Sequence, residues 1–240
     1  MIDVVMLAYN FNEELATLTE DAITSVRQAP INKLIIVDNA SSVRAGMLRE
    51  LSDTYIGNKT NLGYPAAVNQ GVALSKAPYI AISNNDIRVS PEWYDIAEDI
   101  LKNPKVASVH YRMIPYKDPI VRGNDVWLTG KERWCHSSFF VIRREAFVGY
   151  DENYDKGGYD DWDIWHRVRH INGWITAYTN KTSFQHMDSV TYRSMESQED
   201  RHKRDLKNGE YFKTKFGEYA EDIWAKKYPD QMNQVYFPFP

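Results

Sequence analysis

The stretch Tyr79-Ile80-Ala81-Ile82-Ser83-Asn84-Asn85-Asp86 joins a short apolar run to an abrupt polar end. The apolar run predicts a buried strand, whereas Asn and Asp disfavour strand interiors and favour turns. We therefore expect the strand to end here and to hold Asp86 at its carboxyl tip. Ligands of open α/β sheets bind at that edge, and a carboxylate there suits a divalent cation that holds a phosphate. A plain turn explains the same residues, so this stretch alone leaves both interpretations open.

On either side of this stretch, the first half of the chain repeats a strand, a polar tip and a helix. Further strands are predicted at residues 4–8, 33–37, 55–57 and 106–110. Helices are predicted from the N-cap Asn12 to Val26, from a Ser41 or Ser42 cap to Leu51, at 66–74 and at 91–101. This alternation is typical of a parallel sheet with crossover helices. Because parallel strands point the same way, one edge should collect the polar tips Asn10, Asp38, Asn61 and Asp86.

The second half of the chain has a different pattern. It predicts a strand at 138–142, a turn-rich stretch at 150–159 and a helix at 160–172. Two strands at 174–178 and 183–186 and two helices at 196–215 and 219–227 are expected to follow. The sequence between Tyr111 and Trp134 is assigned no regular structure. The chain is therefore predicted to be a single α/β domain with a mostly parallel central sheet flanked by helices.

Composition limits the classes of function. The chain has 240 residues, 43% of them hydrophobic, which suits one domain with a sizeable core. A net charge of −4 gives no electrostatic reason to expect nucleic acid as a partner. The single cysteine, Cys135, fits a reducing compartment, and no apolar run reaches the ~20 residues of a membrane span. We expect a cytoplasmic protein. The apolar tail 235–240 could contact the rest of the domain, a partner or a membrane, and the sequence does not distinguish these.

Three acids begin one predicted helix, in Asp160-Asp161-Trp162-Asp163. One interpretation is structural: the acids complement the helix dipole, and Asp163 pairs with Arg167 one turn later. The other interpretation is catalytic. A carboxylate under the apolar cover of Trp162 and Trp165 has a raised pKa and can act as a general base.

His186 ends a predicted strand, and a lone histidine is more often structural than a ligand. Asp86 alone is a poor metal site. One imidazole, one carboxylate and a bound diphosphate together make a reasonable site for Mn²⁺ or Mg²⁺.

Seven short motifs follow one another in a known order. They are Ala8-Tyr9-Asn10; Val37-Asp38-Asn39-Ala40-Ser41; Asn61-Leu62-Gly63 with Ala67, Asn69 and Gly71; Asn84-Asn85-Asp86; Asp160 to Ile164 with Arg167 and Gly173; His186 with Ser189; and Tyr211 to Gly217. In this order they resemble the family 2 glycosyltransferases of the GT-A fold, particularly the rhamnosyltransferase-like branch. Each motif is weak alone, and the resemblance covers residues 2 to about 217.

The resemblance implies a role for each matched residue. The implied nucleotide-sugar contacts are Asp38 on the base, Ala8, Tyr9 and Asn10 shaping that pocket, Asn61 and Gly63 beside the nucleotide, and Asn84 with Asn85 near the ribose. Asp86 and His186 are the implied ligands of Mn²⁺ or Mg²⁺. Asp161, preceded by Asp160, is the implied base that deprotonates the acceptor hydroxyl. Such enzymes invert the anomeric carbon by direct displacement, and the metal neutralises the leaving diphosphate.

The resemblance also divides the chain. Residues 1–110 are expected to bind the nucleotide sugar, 111–195 to form the acceptor and catalytic half, and 196–240 to be a helical C-terminal extension. Candidate acceptor contacts are Trp127, Trp134, His136 and Tyr159. The donor is expected to be a UDP- or dTDP-sugar, and the acceptor a glycan or glycoconjugate in polysaccharide biosynthesis.

Departures from the pattern keep alternatives open. Asn84 stands where the metal motif usually has an acid, and Val68 replaces an arginine that some relatives place near the diphosphate. Arg143, Arg144 and Arg193 are candidates to replace that charge. A sugar nucleotidyltransferase is the alternative enzyme class, although such enzymes usually carry a glycine-rich, basic loop after the first strand. A non-catalytic carbohydrate-binding relative is the third interpretation.

Overall fold

The computed structural model describes residues 1–128, 137–154, 158–187, 197–218 and residue 220. The strands are β1 Ile2–Ala8, β2 Lys33–Asp38, β3 Thr54–Gly57, β4 Tyr79–Ser83, β5 Ile87–Val89, β6 Val106–Pro115, β7 Val126–Leu128, β8 Phe139–Arg143 and β9 Ile175–His186. The helices are α1 Glu13–Val26, α2 Ala45–Leu51, α3 Tyr64–Leu74, α4 Trp93–Leu101, α5 Asp160–His166 and α6 Gln198–Phe216. A short 3₁₀ turn, Arg144–Ala146, follows β8, and a π-helical turn, Arg167–Ile171, continues α5.

All described strands belong to one sheet, in the order β3-β2-β1-β4-β8-β6-β9-β5, with β7 also paired to β9. The strands β3, β2, β1 and β4 are parallel. β8 lies antiparallel between β4 and β6, after which β6 and β9 are parallel again. The predicted single α/β domain with a central sheet flanked by helices is therefore confirmed, with a parallel half, β3 to β4, followed by a mixed half. β6 runs across residue 110, so the two expected halves of the chain share this sheet.

The sheet is covered by helices on both faces because its central strands are apolar on both sides. In β1, Val4 and Met6 join a core cluster that includes Trp93 of α4, while Val5 joins a second cluster with Val68 of α3. Successive side chains of a strand point to opposite faces, so a continuous apolar run is what a doubly covered strand requires. Among the described residues, no helix combines the length and the apolar character needed to cross a membrane.

The start of α1 follows the sequence prediction, and the start of α2 does not. The Asn12 side chain accepts a hydrogen bond of 2.8 Å from the backbone N–H of Leu15, as an N-cap should. The expected Ser41 or Ser42 cap of α2 is wrong. That helix begins three residues later, after Arg44 in a left-handed conformation, because the Ser41 hydroxyl instead accepts from the backbone N–H of Asn10.

The two strands expected at 174–178 and 183–186 are one strand, β9. Its ladder with β6 passes from Thr179 to Ser183, leaving residues 180–182 as a bulge. The strand continues through this bulge because the segment at 123–125 hydrogen-bonds to Asn180. Gly123 N donates to the Asn180 carbonyl at 2.7 Å, and Asp125 N donates to the Asn180 side chain at 2.9 Å. The short strands β5 and β7 were not predicted. The helix expected at 219–227 and the tail 235–240 lie outside the described residues, except for Ala220.

Close packing of α3 on the sheet gives a test of the fold. A Cβ built on Gly71 lies 2.4 Å from Val5 Cγ1 and 3.0 Å from Val37 Cγ2, and both neighbours are stiff β-branched residues. We expect Gly71→Ala to lower the free energy of unfolding by about 1–3 kcal/mol through overpacking, as measured by urea denaturation.

The matched control is Gly46→Ala in α2, where an added Cβ meets nothing within 4 Å. This variant should leave the free energy of unfolding unchanged or raise it by up to about 1 kcal/mol. Equal stabilities of the two variants would contradict the described packing of α3 on β1 and β2.

Candidate active site

The carboxyl ends of β1, β2 and β4 meet at one edge of the sheet, and Asn10 ties them together. Asn10 is fully buried after β1. Its side-chain oxygen accepts hydrogen bonds from the Thr19 hydroxyl of α1 at 2.7 Å and from the Asn85 amide at 3.2 Å. Its backbone carbonyl accepts from Ser42 N and Val43 N beyond β2. The predicted convergence of the polar tips is confirmed, with Asn10 beneath the edge as the connecting residue.

Asp38 ends β2 with its carboxylate held in a fixed orientation. One oxygen accepts from the backbone N–H of Ser41 at 2.7 Å, and the other accepts from the Tyr55 hydroxyl at 2.6 Å. Burial and the hydrogen bond to Asp38 raise the pKa of Tyr55, so its proton stays in place as a donor. A carboxylate has about four acceptor positions, so Asp38 can still accept hydrogen bonds from a ligand. Sequence reasoning found Asp38 and missed Tyr55.

Asn39 organises the loop that carries Asn61 and Gly63. Its amide donates to the Asn61 side chain at 2.7 Å, and its oxygen accepts from the backbone N–H of Leu62 at 2.9 Å. Asn61 in turn accepts from Gly63 N at 2.9 Å. Gly63 has a φ of 82°, which favours glycine immediately before α3. The loop is therefore fixed beside Asp38, and Asn39 is a residue that the sequence motif contained but to which no role was given.

The three residues after β4 point in different directions. Asn85 is turned inward, where its amide donates to Thr19 at 2.8 Å and to Asn10. Asn84 is half-buried, and its backbone N–H donates to the Ser138 carbonyl at 2.8 Å. Asn85 thus supports the loop from below, and Asn84 and Asp86 remain as the side chains of this motif that are free of the buried amide network.

Asp86 and His186 face each other across the β5–β9 ladder. Ile87 lies opposite His186 in that ladder, and Met187 N donates to the Asp86 carbonyl at 3.1 Å. Asp86 Oδ1 lies 3.2 Å from His186 Nε2, and the residues are 5% and 8% exposed. A carboxylate and an imidazole in this arrangement are donors that fit Mn²⁺. The described residues contain no cluster of three or more such side chains, so this pair needs further ligands from a bound molecule or water.

A second pair of carboxylates begins α5. Burial and the neighbouring Asp161 carboxylate raise the pKa of Asp160 well above its usual range. Burial also raises the pKa of Asp161, to about 6, against hydrogen bonds from Ser137 that lower it. Asp161 is half-buried and Asp160 is buried. A partly accessible carboxylate that titrates near neutral pH is suited to accept a proton from a substrate.

Ser137 fixes the position of Asp161. Its backbone N–H donates to Asp161 Oδ2 at 3.3 Å, its carbonyl accepts from the Tyr64 hydroxyl at 2.7 Å, and its hydroxyl accepts from Tyr150 at 2.7 Å. The next residue, Ser138, is the one that accepts from Asn84 N. The dipeptide 137–138 therefore joins the Asp86 motif to Asp161. Nothing in the sequence indicated this, because the contacts span tens of residues.

Two of the four acceptor candidates, Trp127 and Tyr159, lie among the described residues, and each packs against a different element. Trp127 lies opposite Tyr178 in the β7–β9 ladder, and five positions of β6, or about 17 Å, separate that point from the level of His186. Tyr159 precedes α5 in a left-handed conformation with a φ of 60°, and its ring lies 6.1 Å from that of Phe212 in α6. Trp134 and His136 lie outside the described residues.

Two of the three arginines proposed to replace the missing positive charge near Val68, Arg143 and Arg144, lie at the opposite edge of the sheet from Asp86. Arg143 donates to the Leu101 carbonyl at 2.7 Å, and Arg144 donates to the Ala77 carbonyl at 2.8 Å. β8 is antiparallel to β4, with Arg143 opposite Tyr79 at the start of β4. Both arginines therefore lie at the amino end of β4, away from Asp86, and that expectation is wrong. Arg193 lies outside the described residues.

A family model described as glycosyl transferase family 2 matches residues 3–151. The chain belongs to glycosyl transferase family 2. The matched range contains Asp38, Asn61 and Asp86, whereas Asp161 and His186 lie beyond it. Comparison with curated proteins gives no match.

Solved structures of glycosyltransferases have the same fold. TarS residues 1–349 from S. aureus is similar with a TM-score of 0.60 at 12% identity, over 90% of this chain and 73% of that one. The structure of GalNAc-T7 with UDP, GalNAc and Mn²⁺ has a TM-score of 0.62 at 12% sequence identity, over 78% of this chain and 43% of that one. The mannosyltransferase PcManGT from Pyrobaculum calidifontis with GDP-Man and Mn²⁺ has a TM-score of 0.60 at 15% sequence identity, over 80% of this chain and 59% of that one. The expected GT-A fold is confirmed, while the rhamnosyltransferase-like branch stays a prediction.

The inward position of Asn85 can be tested by stability. Asn85→Ala removes a buried amide that donates to Thr19 and Asn10, so we expect the free energy of unfolding to fall by about 1–3 kcal/mol in urea denaturation. The described residues give the Asn84 side chain no hydrogen-bond partner, and Asn84→Ala should change stability by less than about 0.5 kcal/mol. The reverse order of the two effects would show that Asn85 faces the ligand side.

Proposed function

We propose that this family 2 member is an inverting glycosyltransferase that moves a sugar from a nucleotide-diphospho-sugar to a hydroxyl of a glycan or glycoconjugate. The observation that carries the proposal is the short hydrogen-bonded path between two carboxylate sites. Asn84 bonds to Ser138, and Ser137 bonds to Asp161, so the Asp86 motif and the raised-pKa acid belong to one arrangement. A donor diphosphate at the first site and an acceptor hydroxyl at the second are the groups that such a transfer needs close together.

The nucleotide is proposed to bind along the edge from Asp38 to Asn61. The Asp38 carboxylate, held by Ser41 and Tyr55, is oriented to accept an N–H of the base. Uracil, thymine and guanine carry a ring N–H for such a contact. This is consistent with the UDP and GDP-Man found in two of the similar structures. We favour a UDP- or dTDP-sugar from the resemblance in the sequence.

Asp161 is proposed as the general base. Its raised pKa means that the carboxylate is ionised at neutral pH and is still basic enough to take a proton as the acceptor oxygen attacks. A single displacement at the anomeric carbon inverts its configuration and needs one base. Asp160 is too deeply buried to meet the acceptor, and its raised pKa disfavours a second negative charge beside Asp161.

Asp86 and His186 are the residues that would hold a divalent cation, Mn²⁺ or Mg²⁺. When bound, such a cation supplies positive charge for the leaving diphosphate. Tethering on the β5–β9 ladder keeps the two side chains together without help from a ligand.

A test of this function measures nucleoside diphosphate release from UDP-glucose, UDP-N-acetylglucosamine, dTDP-rhamnose and GDP-mannose, with water as the acceptor. A base must be deprotonated to act, so kcat/KM should fall tenfold per pH unit below about 6 and stay level above it. Asp161→Asn should lower kcat by about 10²–10⁴ and remove this pH dependence, with little change in donor KM.

The matched control is Asp160→Asn, an isosteric change next to the base. It should keep most of the activity, because burial and the neighbouring Asp161 raise the pKa of Asp160 and so favour the neutral form that the amide mimics. Wild-type protein that turns over none of these donors, or Asp161→Asn with full activity, would favour the non-catalytic carbohydrate-binding alternative.

A further inference from the structure

The C-terminal helix α6 is joined to the candidate base helix α5 by one lysine, Lys215, whose ammonium group reaches two carboxylates. Lys215 Nζ donates to Asp151 Oδ2 at 2.6 Å and also contacts Asp163 Oδ2. Asp151 lies in the segment between β8 and α5, and Asp163 lies on α5 itself. The ammonium group therefore links three separate parts of the chain.

Asp163 depends on this contact because its carboxylate is fully buried. Arg167 Nε contacts one carboxylate oxygen, and Lys215 and the Tyr154 hydroxyl share the other, the latter at 3.1 Å. Removing one partner of a buried ion pair leaves an uncompensated charge, which is strongly unfavourable. Lys215 thus supplies one of the two described cations that neutralise this site.

The segment between β8 and α5 is tied down by the same groups. Arg167 also donates to the Val148 carbonyl at 3.1 Å and to the Gly149 carbonyl at 2.7 Å. Asn69 of α3 exchanges two hydrogen bonds with the backbone of Tyr150, at 2.8 and 2.9 Å. Beyond Tyr150, the Asp151 carboxylate is held by Lys215. The geometry of Tyr150 is therefore set from both sides.

Tyr150 carries this constraint to the base. Its hydroxyl donates to Ser137 Oγ, and Ser137 N donates to Asp161 Oδ2. On the other side, Asp163 lies two residues after Asp161 in the same helix. Lys215 is therefore connected to Asp161 by two routes. One runs through Asp151, Tyr150 and Ser137, and the other runs through Asp163 and the backbone of α5.

We propose that Lys215 is a positioning residue that sets the orientation and charge of Asp161, so that α6 is part of the catalytic machinery. This inference rests on the proposed function. Lys215 itself does not touch the reacting atoms. It acts through the two carboxylates that it neutralises, and its loss should alter catalysis more than donor binding.

The pH dependence of turnover distinguishes an electrostatic effect of Lys215 on the base from a purely structural role. The described charged or titratable groups along the path from Lys215 to Asp161 are Asp160, Asp163 and Arg167 of α5 and its continuation, Tyr150 and Asp151 before α5, Tyr64 of α3, and Arg204 and Lys215 of α6. Removing the Lys215 cation leaves the carboxylates of Asp151 and Asp163 less neutralised, and this added negative charge on the elements that hold Asp161 should raise the pH at which the base ionises. Replacing Asp151 by a neutral amide has the opposite sign.

The experiment compares Lys215→Met, Lys215→Arg and Asp151→Asn in the donor-turnover assay over pH 5–8. Lys215→Met should lower kcat by about tenfold or more, with donor KM within about twofold, and move the acidic limb of kcat to higher pH by about half a unit. Lys215→Arg keeps the charge and should restore kcat and the limb. Asp151→Asn should move the limb to lower pH.

The matched control is Lys203→Met on the same helix, where Lys203 makes an exposed pair with Glu199. It should leave kcat and the limb unchanged. Active-site concentration is set in each case by calorimetric titration with the nucleoside diphosphate. The inference is overturned if the acidic limb of kcat in Lys215→Met matches that of the wild type, or if the acidic limb of kcat in Asp151→Asn does not move to lower pH. The second variant gives this answer even where the first does not fold. Wild-type protein without turnover refutes the proposed function instead.

Discussion

Buried polar atoms are strongly favoured to form hydrogen bonds, and the bonds accepted by the side-chain and backbone oxygens of Asn10 hold the edge of the sheet on which the site depends. The Asn10 side chain binds Thr19 of α1 and Asn85 beyond β4, and its backbone binds the residues beyond β2. These hydrogen bonds connect the carboxyl ends of β1, β2 and β4 at one edge of the sheet. Asp38 ends β2 and Asp86 follows β4 at this edge, so the edge that we propose binds the donor is held in place by the protein's own hydrogen bonds.

The two carboxylate sites have different environments and therefore different chemistry. Asp86 faces an imidazole, which suits a cation, whereas Asp161 accepts hydrogen bonds from Ser137 beside Asp160, and burial raises its pKa to about 6. Placing similar groups in contrasting surroundings is the general way in which proteins separate their roles. The dipeptide 137–138 keeps the two environments in contact.

Local patterns predicted much of the fold and part of the site. The alternation of strands, polar tips and helices predicted the parallel sheet, and the Asn12 cap and Asp86 tip follow from single-residue preferences. The pattern failed where distant segments supply partners. Asn180 is part of β9 because residues 123–125 bond to it, Ser137 meets Tyr64 across 73 residues, and Lys215 meets Asp151 across 64. Such pairings have no local signal in one sequence.

The central claim is that the edge carrying Asp38 and Asp86 binds a nucleoside diphosphate together with a divalent cation. Thermal shift with UDP, dTDP, GDP and CMP, each with and without Mn²⁺, tests it directly, since ligands of the native state raise the melting temperature. In the wild type, we predict that one diphosphate raises the melting temperature only when Mn²⁺ is present. In Asp86→Ala, we predict a much smaller rise that no longer depends on Mn²⁺. No shift with any nucleotide, or an equal shift in Asp86→Ala, would contradict the claim.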